Sequence, residues 1–152
     1  MSVIGPSAVA VIETPHTFVL EGPSELPTAF EHDGKLRLFG GKIDPERDSG
    51  PLAALRRELW EEIDLPPDDE RLFELLADRD FDIQTRAGTI ATRPMILFRT
   101  GIASINEIRL KIPEQASIVE IPRTMQSVRV NSPRLTTFTH WALTTSLTTP
   151  KE

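Results

Sequence analysis

The 152-residue sequence contains no cysteine. That excludes disulfides, zinc-thiolate centres and thiol chemistry. Basic residues are in deficit, and the formal charge of -6 argues against binding to nucleic-acid polymers or to acidic membranes, both of which require a basic face. An anionic substrate then needs metal ions beside it. Long apolar runs are missing as well, since no segment approaches the ~18 residues needed to span a bilayer. The first apolar stretch has no basic residue ahead of it and is interrupted by Gly5, Pro6 and Glu13, so it reads as no signal peptide. There is no internal repeat, low-complexity tract or long linker. The expectation is one soluble, cytoplasmic domain over residues 1–152, long enough to bury roughly two thirds of its unfolded surface.

Short apolar and β-branched runs at 8–12 and 17–20, separated by Thr14, Pro15 and His16, read as two strands. Loop follows over 23–28, and the Asp33-Gly34 turn signal introduces a strand at 36–39 that runs into Gly40 and Gly41. A helix opens at Pro51, and Pro66 and Pro67 force its end. Further strands are expected at 72–77, 81–85, 94–100 and 117–121, with Arg86-Ala87-Gly88 as a turn. Ser132 and Pro133 read as the cap and first turn of a terminal helix over 133–147. Strands at both ends with interspersed helices predict an α/β fold, a mixed sheet between helices.

The helix from Pro51 carries the most informative pattern. Leu52, Leu55, Leu59 and Ile63 recur at spacings of three and four and form one core-facing stripe. Glu58, Glu61 and Glu62 fall in an arc of ~100 degrees beside it, at the edge of the core where a cleft can form. At ~6 Å and an effective dielectric of ~20, each pair of such carboxylates repels by ~3 kcal/mol. A bound cation turns that repulsion into attraction. All-oxygen ligands without a nearby histidine favour Mg2+ or Mn2+ over zinc. Arg57 neighbours Glu61 on the helix and can hold a carboxylate in place, while Gly40 and Gly41 let backbone turn tightly and approach a ligand.

These residues resemble the signature box of the Nudix hydrolases: Gly, five residues, Glu, seven residues, then Arg-Glu-U-x-Glu-Glu-x-Gly-U, where U is bulky and aliphatic. Gly41, Arg57, Glu58, Leu59, Glu61, Glu62 and Leu65 match it. The resemblance implies an α/β/α sandwich with a mixed sheet. It also implies cleavage of nucleoside diphosphates linked to another group, with Glu58, Glu61 and Glu62 as metal ligands. Two departures stand out. The segment between Gly41 and Arg57 is two residues longer than the pattern, and Ser49 occupies the position of the box glutamate, with Glu46 or Asp48 available to replace it. Asp64 stands where the box has its later glycine, at a place where Asp tolerates a left-handed backbone.

Outside the box, the resemblance implies another carboxylate from a loop before a late strand. Glu114 is the choice, as a fourth metal ligand or general base, with Glu107 in reserve. Lys42 is a candidate phosphate contact. Asn131, in Asn131-Ser132-Pro133, resembles the Asn-x-Pro by which MutT-type members read a base edge. Phe39, Phe81 and Trp141 read as core aromatics first and base-stacking rings second. Asp78, Asp80 and Asp82 lack the Gly and Glu of a calcium loop and read as one solvated face of a strand or hairpin.

The expected function is a Mg2+-dependent pyrophosphohydrolase of a nucleoside di- or triphosphate derivative. Arg57, Glu61 and Glu114 act in catalysis, and Gly40, Gly41, Lys42 and Asn131 contact the nucleotide. Sanitation of (d)NTP pools comes first and ADP-ribose or dinucleotide cleavage second. A Nudix-fold nucleotide-binding module without turnover is the alternative from another class. The expected partner is a small-molecule nucleotide, and the family's frequent dimers make a homodimer an open expectation.

Overall fold

The computed structural model describes residues 2–23, 34–67, 71–84, 87–111 and 116–151. Among these residues, seven strands form one mixed sheet: β1 (Ser2–Val3), β2 (Ser7–Glu13), β3 (Thr17–Gly22), β4 (Phe39–Lys42), β5 (Glu74–Gln84), β6 (Ile90–Gly101) and β7 (Ser117–Pro122). Helix α1 (Pro51–Ile63) covers one face, and α2 (Met125–Asn131) with α3 (Thr137–Thr148) covers the other. The expected α/β sandwich is the observed one.

β2 is the central strand. It runs parallel to β6 on one side, while its other edge pairs antiparallel first with β4 and then with β3. All seven of its residues are buried because both faces of the sheet are covered. Ala8, Ala10 and Ile12 pack with Leu55, Leu59 and Ile63 of α1, as the stripe predicts. Val9 and Val11 face the opposite way, towards Val128, Ala142 and Leu143. The alternation is the two-residue period of a strand serving two cores.

α1 begins where Pro51 supplies a preset φ at the first turn. It ends at Asp64, which adopts φ 64 and ψ 28 as expected for the residue replacing the box glycine. Its last carbonyls are taken from outside the helix, with the N–H of Arg109 on Ile63 at 3.0 Å and that of Lys111 on Glu62 at 3.1 Å. Among the described residues no helix is long and apolar enough to cross a membrane.

Three expectations need correction. The terminal helix starts at Thr137, not Pro133: residues Ser132–Arg134 form a 3-10 turn, Leu135 is extended and bridges Leu36, and Thr136 is the cap, accepting from the N–H of Thr139 at 3.1 Å. The two strands expected at 72–77 and 81–85 are replaced over the described residues by one, β5 (Glu74–Gln84), because pairing with β6 continues through the charged Asp78-Arg79-Asp80 segment, with a bulge between Leu75 and Ala77. The strand at 36–39 is displaced, since Leu36 and Arg37 make only isolated bridges and the glycine pair itself lies inside β4. α2 went unforeseen; it is seven residues long and opens at Thr124, whose side chain accepts from the N–H of Ser127. The loop expected at 23–28, the turn residues Asp33 and Arg86, and Glu114 fall wholly or partly outside the described residues.

Candidate active site

β4 lies beside β2 so closely that a side chain at Gly40 would collide with the carbonyl of Ala8, and Gly40 has a φ of +136. Gly41 faces α1 instead. A Cβ there would sit 2.7 Å from the carboxyl carbon of Glu58. The glycine pair is thus a bare strip of backbone against which two helix carboxylates rest. Glu62 accepts from the N–H of Gly40 at 3.1 Å, and Glu58 lies over Gly41.

Arg57 organises the rest. Its Nε and one terminal nitrogen donate to the two oxygens of Asp48 at 2.9 and 3.0 Å. The other terminal nitrogen reaches Glu58 and Glu61, both at 3.2 Å, while the one on Asp48 also donates to the Lys42 carbonyl at 3.3 Å. Asp48, with a side chain only 3% exposed, also accepts from the N–H of Asp44 at 2.8 Å. Of the two residues considered as replacements for the box glutamate, Asp48 therefore holds the arginine. Glu46 is exposed, and its own N–H donates to Asp44.

The electrostatics follow from this packing. The hydrogen bonds from Arg57 and from the backbone of Asp44 bring the Asp48 carboxyl down to about 2. The same contact raises the Arg57 guanidinium above its ordinary value. Glu58 is pushed up by burial, against the opposing pull of Arg57. Glu62 is pushed well above the carboxylate range, by burial first and then by the neighbouring charges of Glu21 and Glu58. Glu21 stands on β3 and pairs with Arg37. The helix and the sheet thus bring together more acid than their local cations balance.

Glu61, Glu62, Gly40, Gly41 and Glu21 open onto one cavity of about 510 Å³, a volume suited to a nucleotide-sized ligand. The cavity extends over the sheet face covered by α3, past Val9 and Met95 to Phe81, Arg93 and Phe138. Its aromatic wall is compact: Phe81 meets Phe138 edge to face at 4.9 Å and Trp141 at 5.0 Å. Phe39 is fully buried in the α1 core.

The structure separates the other candidates. Lys42 is exposed and does not line the cavity. Asn131 does not line it either: its amide donates to the Ser127 carbonyl at 2.9 Å and its oxygen accepts from Arg134 at 3.1 Å. Glu107 sits in another depression with Arg71 and Glu13, and is lowered chiefly by the N–H of Ala103. Glu21, Arg37, Arg93 and Phe138 were missed as site residues. Only the sheet and the packing of α3 carry them to the box, so no local spacing could have found them. Asp78, Asp80 and Asp82 are exposed along β5, a solvated strand face as expected.

Solved structures supply the comparison. A MutT NUDIX hydrolase from Burkholderia pseudomallei superposes with a TM-score of 0.63 at 22% identity, covering 93% of this chain and 96% of that one. The chain has the Nudix fold. The NUDIX domain of Shewanella oneidensis NrtR, solved with ADP ribose, is similar at a TM-score of 0.69 and 17% identity, covering 96% of this chain and 88% of that one. The dihydroneopterin triphosphate pyrophosphohydrolase of E. coli is similar at 0.66 and 11% identity, with 94% of each chain covered. No protein-family model and no curated protein sequence matches the chain.

Among the described residues, no three acidic or histidine side chains converge tightly enough to cage a cation. Glu58 and Glu61 are drawn to Arg57, and Glu62 to Gly40. The donor set nevertheless has the chemistry of a hard-cation site: it is all oxygen, partly buried and in excess negative charge beside Glu21.

Proposed function

We propose that this protein is a Nudix-type hydrolase, a single domain that cleaves a pyrophosphate bond in a nucleoside di- or triphosphate derivative with the help of Mg2+. The observation that carries the reading is the placement of Glu58 and Glu62 against the bare backbone of Gly41 and Gly40, glycines that line the cavity together with Glu61 and Glu62. Glu58, Glu61 and Glu62 would hold Mg2+ or Mn2+, which supplies charge for the anhydride oxygens and an activated water. Arg57, fixed by Asp48, aims Glu58 and Glu61. The glycine pair, bare of side chains, would shape the backbone at the phosphate end of the site and leave room for Glu58 and Glu62 against it. Glu114 remains the proposed additional carboxylate, as ligand or base. A soluble cytoplasmic enzyme acting on free nucleotides suits the charge of -6.

The test is release of phosphate or pyrophosphate with Mg2+ across (d)NTPs, oxidised dGTP, ADP-ribose, NADH and dinucleoside polyphosphates, with Glu61→Gln and Glu62→Gln alongside. Turnover that both variants lower by at least ten-fold supports the assignment. Turnover indifferent to both removes these carboxylates from the chemistry. The separation of the carboxylates by Arg57 and Gly40 favours a second reading, a nucleotide-binding module without turnover. Saturable binding of ADP-ribose with no hydrolysis of any substrate would establish that reading instead.

A further inference from the structure

The wall of the cavity on β5 and β6 carries a group that anhydride cleavage does not use. Arg93 lies on β6 directly across from Phe81 on β5, and both line the cavity. Its Nε is buried without a hydrogen-bond partner, and among the described residues no ion pair holds the guanidinium. Buried donors are rarely left unmade, because the lost hydration is not returned. An acceptor on a ligand entering the cavity would return it.

The neighbourhood selects the kind of acceptor. Phe81 is held by Phe138, by Trp141 and by the Arg79 guanidinium, which lies 4.8 Å from its ring centre. A ring fixed in this way is a ready stacking partner for a flat ligand. Ile83 and Met95 line the cavity beside it, an apolar setting that suits a neutral heterocycle better than a second phosphate. Sheet register sets the spacing. Gly41, Ala8, Ile96 and Asp78 lie in one row across β4, β2, β6 and β5. Three strand intervals of ~4.8 Å separate the glycine strip from β5, roughly 15 Å in all. A nucleotide placed with its anhydride at the glycines carries its base to this wall.

We propose that Arg93, Phe81 and Phe138 form a nucleobase subsite that selects bases presenting carbonyl oxygen to the guanidinium, guanine first, over adenine. Guanine offers O6 and N7 as adjacent acceptors that match two donors of one guanidinium, whereas adenine sets an amine donor beside N7. As to substrate class, the inference rests on the hydrolase reading above, but base selection can be measured without turnover.

The experiment compares binding of GDP and ADP by calorimetry, and hydrolysis of GTP and ATP with Mg2+, in the wild type, Arg93→Met and Arg93→Lys, each checked for an unchanged melting transition. The expected result is a guanine preference of roughly ten-fold or more in the wild type. In Arg93→Met it disappears through weaker guanine binding and a higher KM at constant kcat, with adenine unaffected. Arg93→Lys retains only part of it, because a point charge cannot make the paired contact. Guanine-selective binding that depends on Arg93 without hydrolysis of any nucleotide would sustain the subsite while the hydrolase reading fails. Hydrolysis without base preference, equal losses for both bases in Arg93→Met, or binding of neither diphosphate would overturn the subsite. Tighter binding of inorganic pyrophosphate than of GDP, lost in Arg93→Met, would also overturn it by making Arg93 an anion contact.

Discussion

Arg57 grips Asp48 with two donors, Nε on one carboxyl oxygen at 2.9 Å and a terminal nitrogen on the other at 3.0 Å. Asp48 comes from the segment where the box is longer than the family pattern and Ser49 stands in place of its glutamate, whereas Arg57 belongs to the part that matches. The longer loop turns on itself, with the Asp44 N–H bonded to Asp48, and delivers a carboxylate from the residue before Ser49. The bidentate geometry fixes the plane of the guanidinium, which in turn sets where Glu58 and Glu61 are held.

Asp48→Asn should therefore act on catalysis at a distance. The amide keeps the size of the side chain but loses one acceptor and the charge, so Arg57 is freed to close on Glu58 and Glu61. Under the proposed function, kcat/KM falls by roughly 10- to 100-fold and the Mg2+ concentration needed for half activity rises. Steady-state kinetics with Mg2+ titration would show it; an unchanged metal requirement would contradict the positioning role.

The same contact makes a pH prediction. Asp48 is lowered from an ordinary 3.8 to about 2, so the folded state binds fewer protons than the unfolded state between those values. Its stabilisation is thus complete above about pH 4 and is lost as pH falls towards 2. Denaturant unfolding from pH 6 to pH 2 should show wild type and Asp48→Asn converging across that window. A constant difference between them would mean that the contact contributes nothing through its charge.

The two glycines should fail in different ways. At Gly40 a methyl group meets the Ala8 backbone at a φ of +136, and neither strand can give way. Gly40→Ala should cost about 2–4 kcal/mol of stability. At Gly41 the methyl meets only the movable end of Glu58, so Gly41→Ala should melt within about 1 kcal/mol of wild type. Because Glu58 is displaced, its activity should fall at least ten-fold. Melting curves and turnover on both variants separate the two roles.

Metal binding is open to a readout independent of activity. If Glu62 and Glu58 hold the cation, Mg2+ raises the melting temperature, by an amount equivalent to about 2.7 kcal/mol at a concentration 100-fold above Kd, and EDTA reverses the rise. Glu62→Gln should shrink that rise while leaving the metal-free protein about as stable as wild type, since a neutral amide replaces a carboxyl that burial and Glu21 already push towards its neutral form. An undiminished Mg2+ shift in Glu62→Gln would exclude it as a ligand.

At the end of α1, Asp64 holds a left-handed conformation that favours glycine. Its contacts with Arg109 and Lys111, at 3.4 and 3.5 Å, are at the limit for ion pairs and contribute little. Asp64→Gly should raise stability by up to about 1 kcal/mol, and Asp64→Val should lower it by more than that, because β-branching is costly at positive φ. Denaturant midpoints of the two variants should lie on opposite sides of wild type.

How much was legible depended on range. Leu55, Leu59 and Ile63 announce a buried stripe because helix period and burial are both local, and Pro51 and Asp64 mark the ends of that helix through their own backbone preferences. The β5 strand was read as two because the charged Asp78, Arg79 and Asp80 interrupt its apolar run, whereas pairing with β6 holds them extended at an exposed edge. Thr137 rather than Pro133 starts α3 because Leu135 is drawn into a bridge with Leu36, nearly a hundred residues away. Asn131 was chosen from its place in Asn131-Ser132-Pro133, and its amide is engaged by Ser127 and Arg134.

The sequence by itself determined the sandwich class, helix α1 with its stripe, and the set of carboxylates flanking Arg57. Those features rest on residues within a few turns of one another, where spacing alone dictates which side chains share a face. Only the tertiary structure decided that Asp48 holds Arg57 and that Glu58 and Glu62 rest on glycine backbone. It alone brings Glu21, Phe81, Arg93 and Phe138 to the same cavity. Those relations cross three strands and a helix, and the registers that create them come from the simultaneous burial of both faces of β2, which no local stretch of sequence specifies.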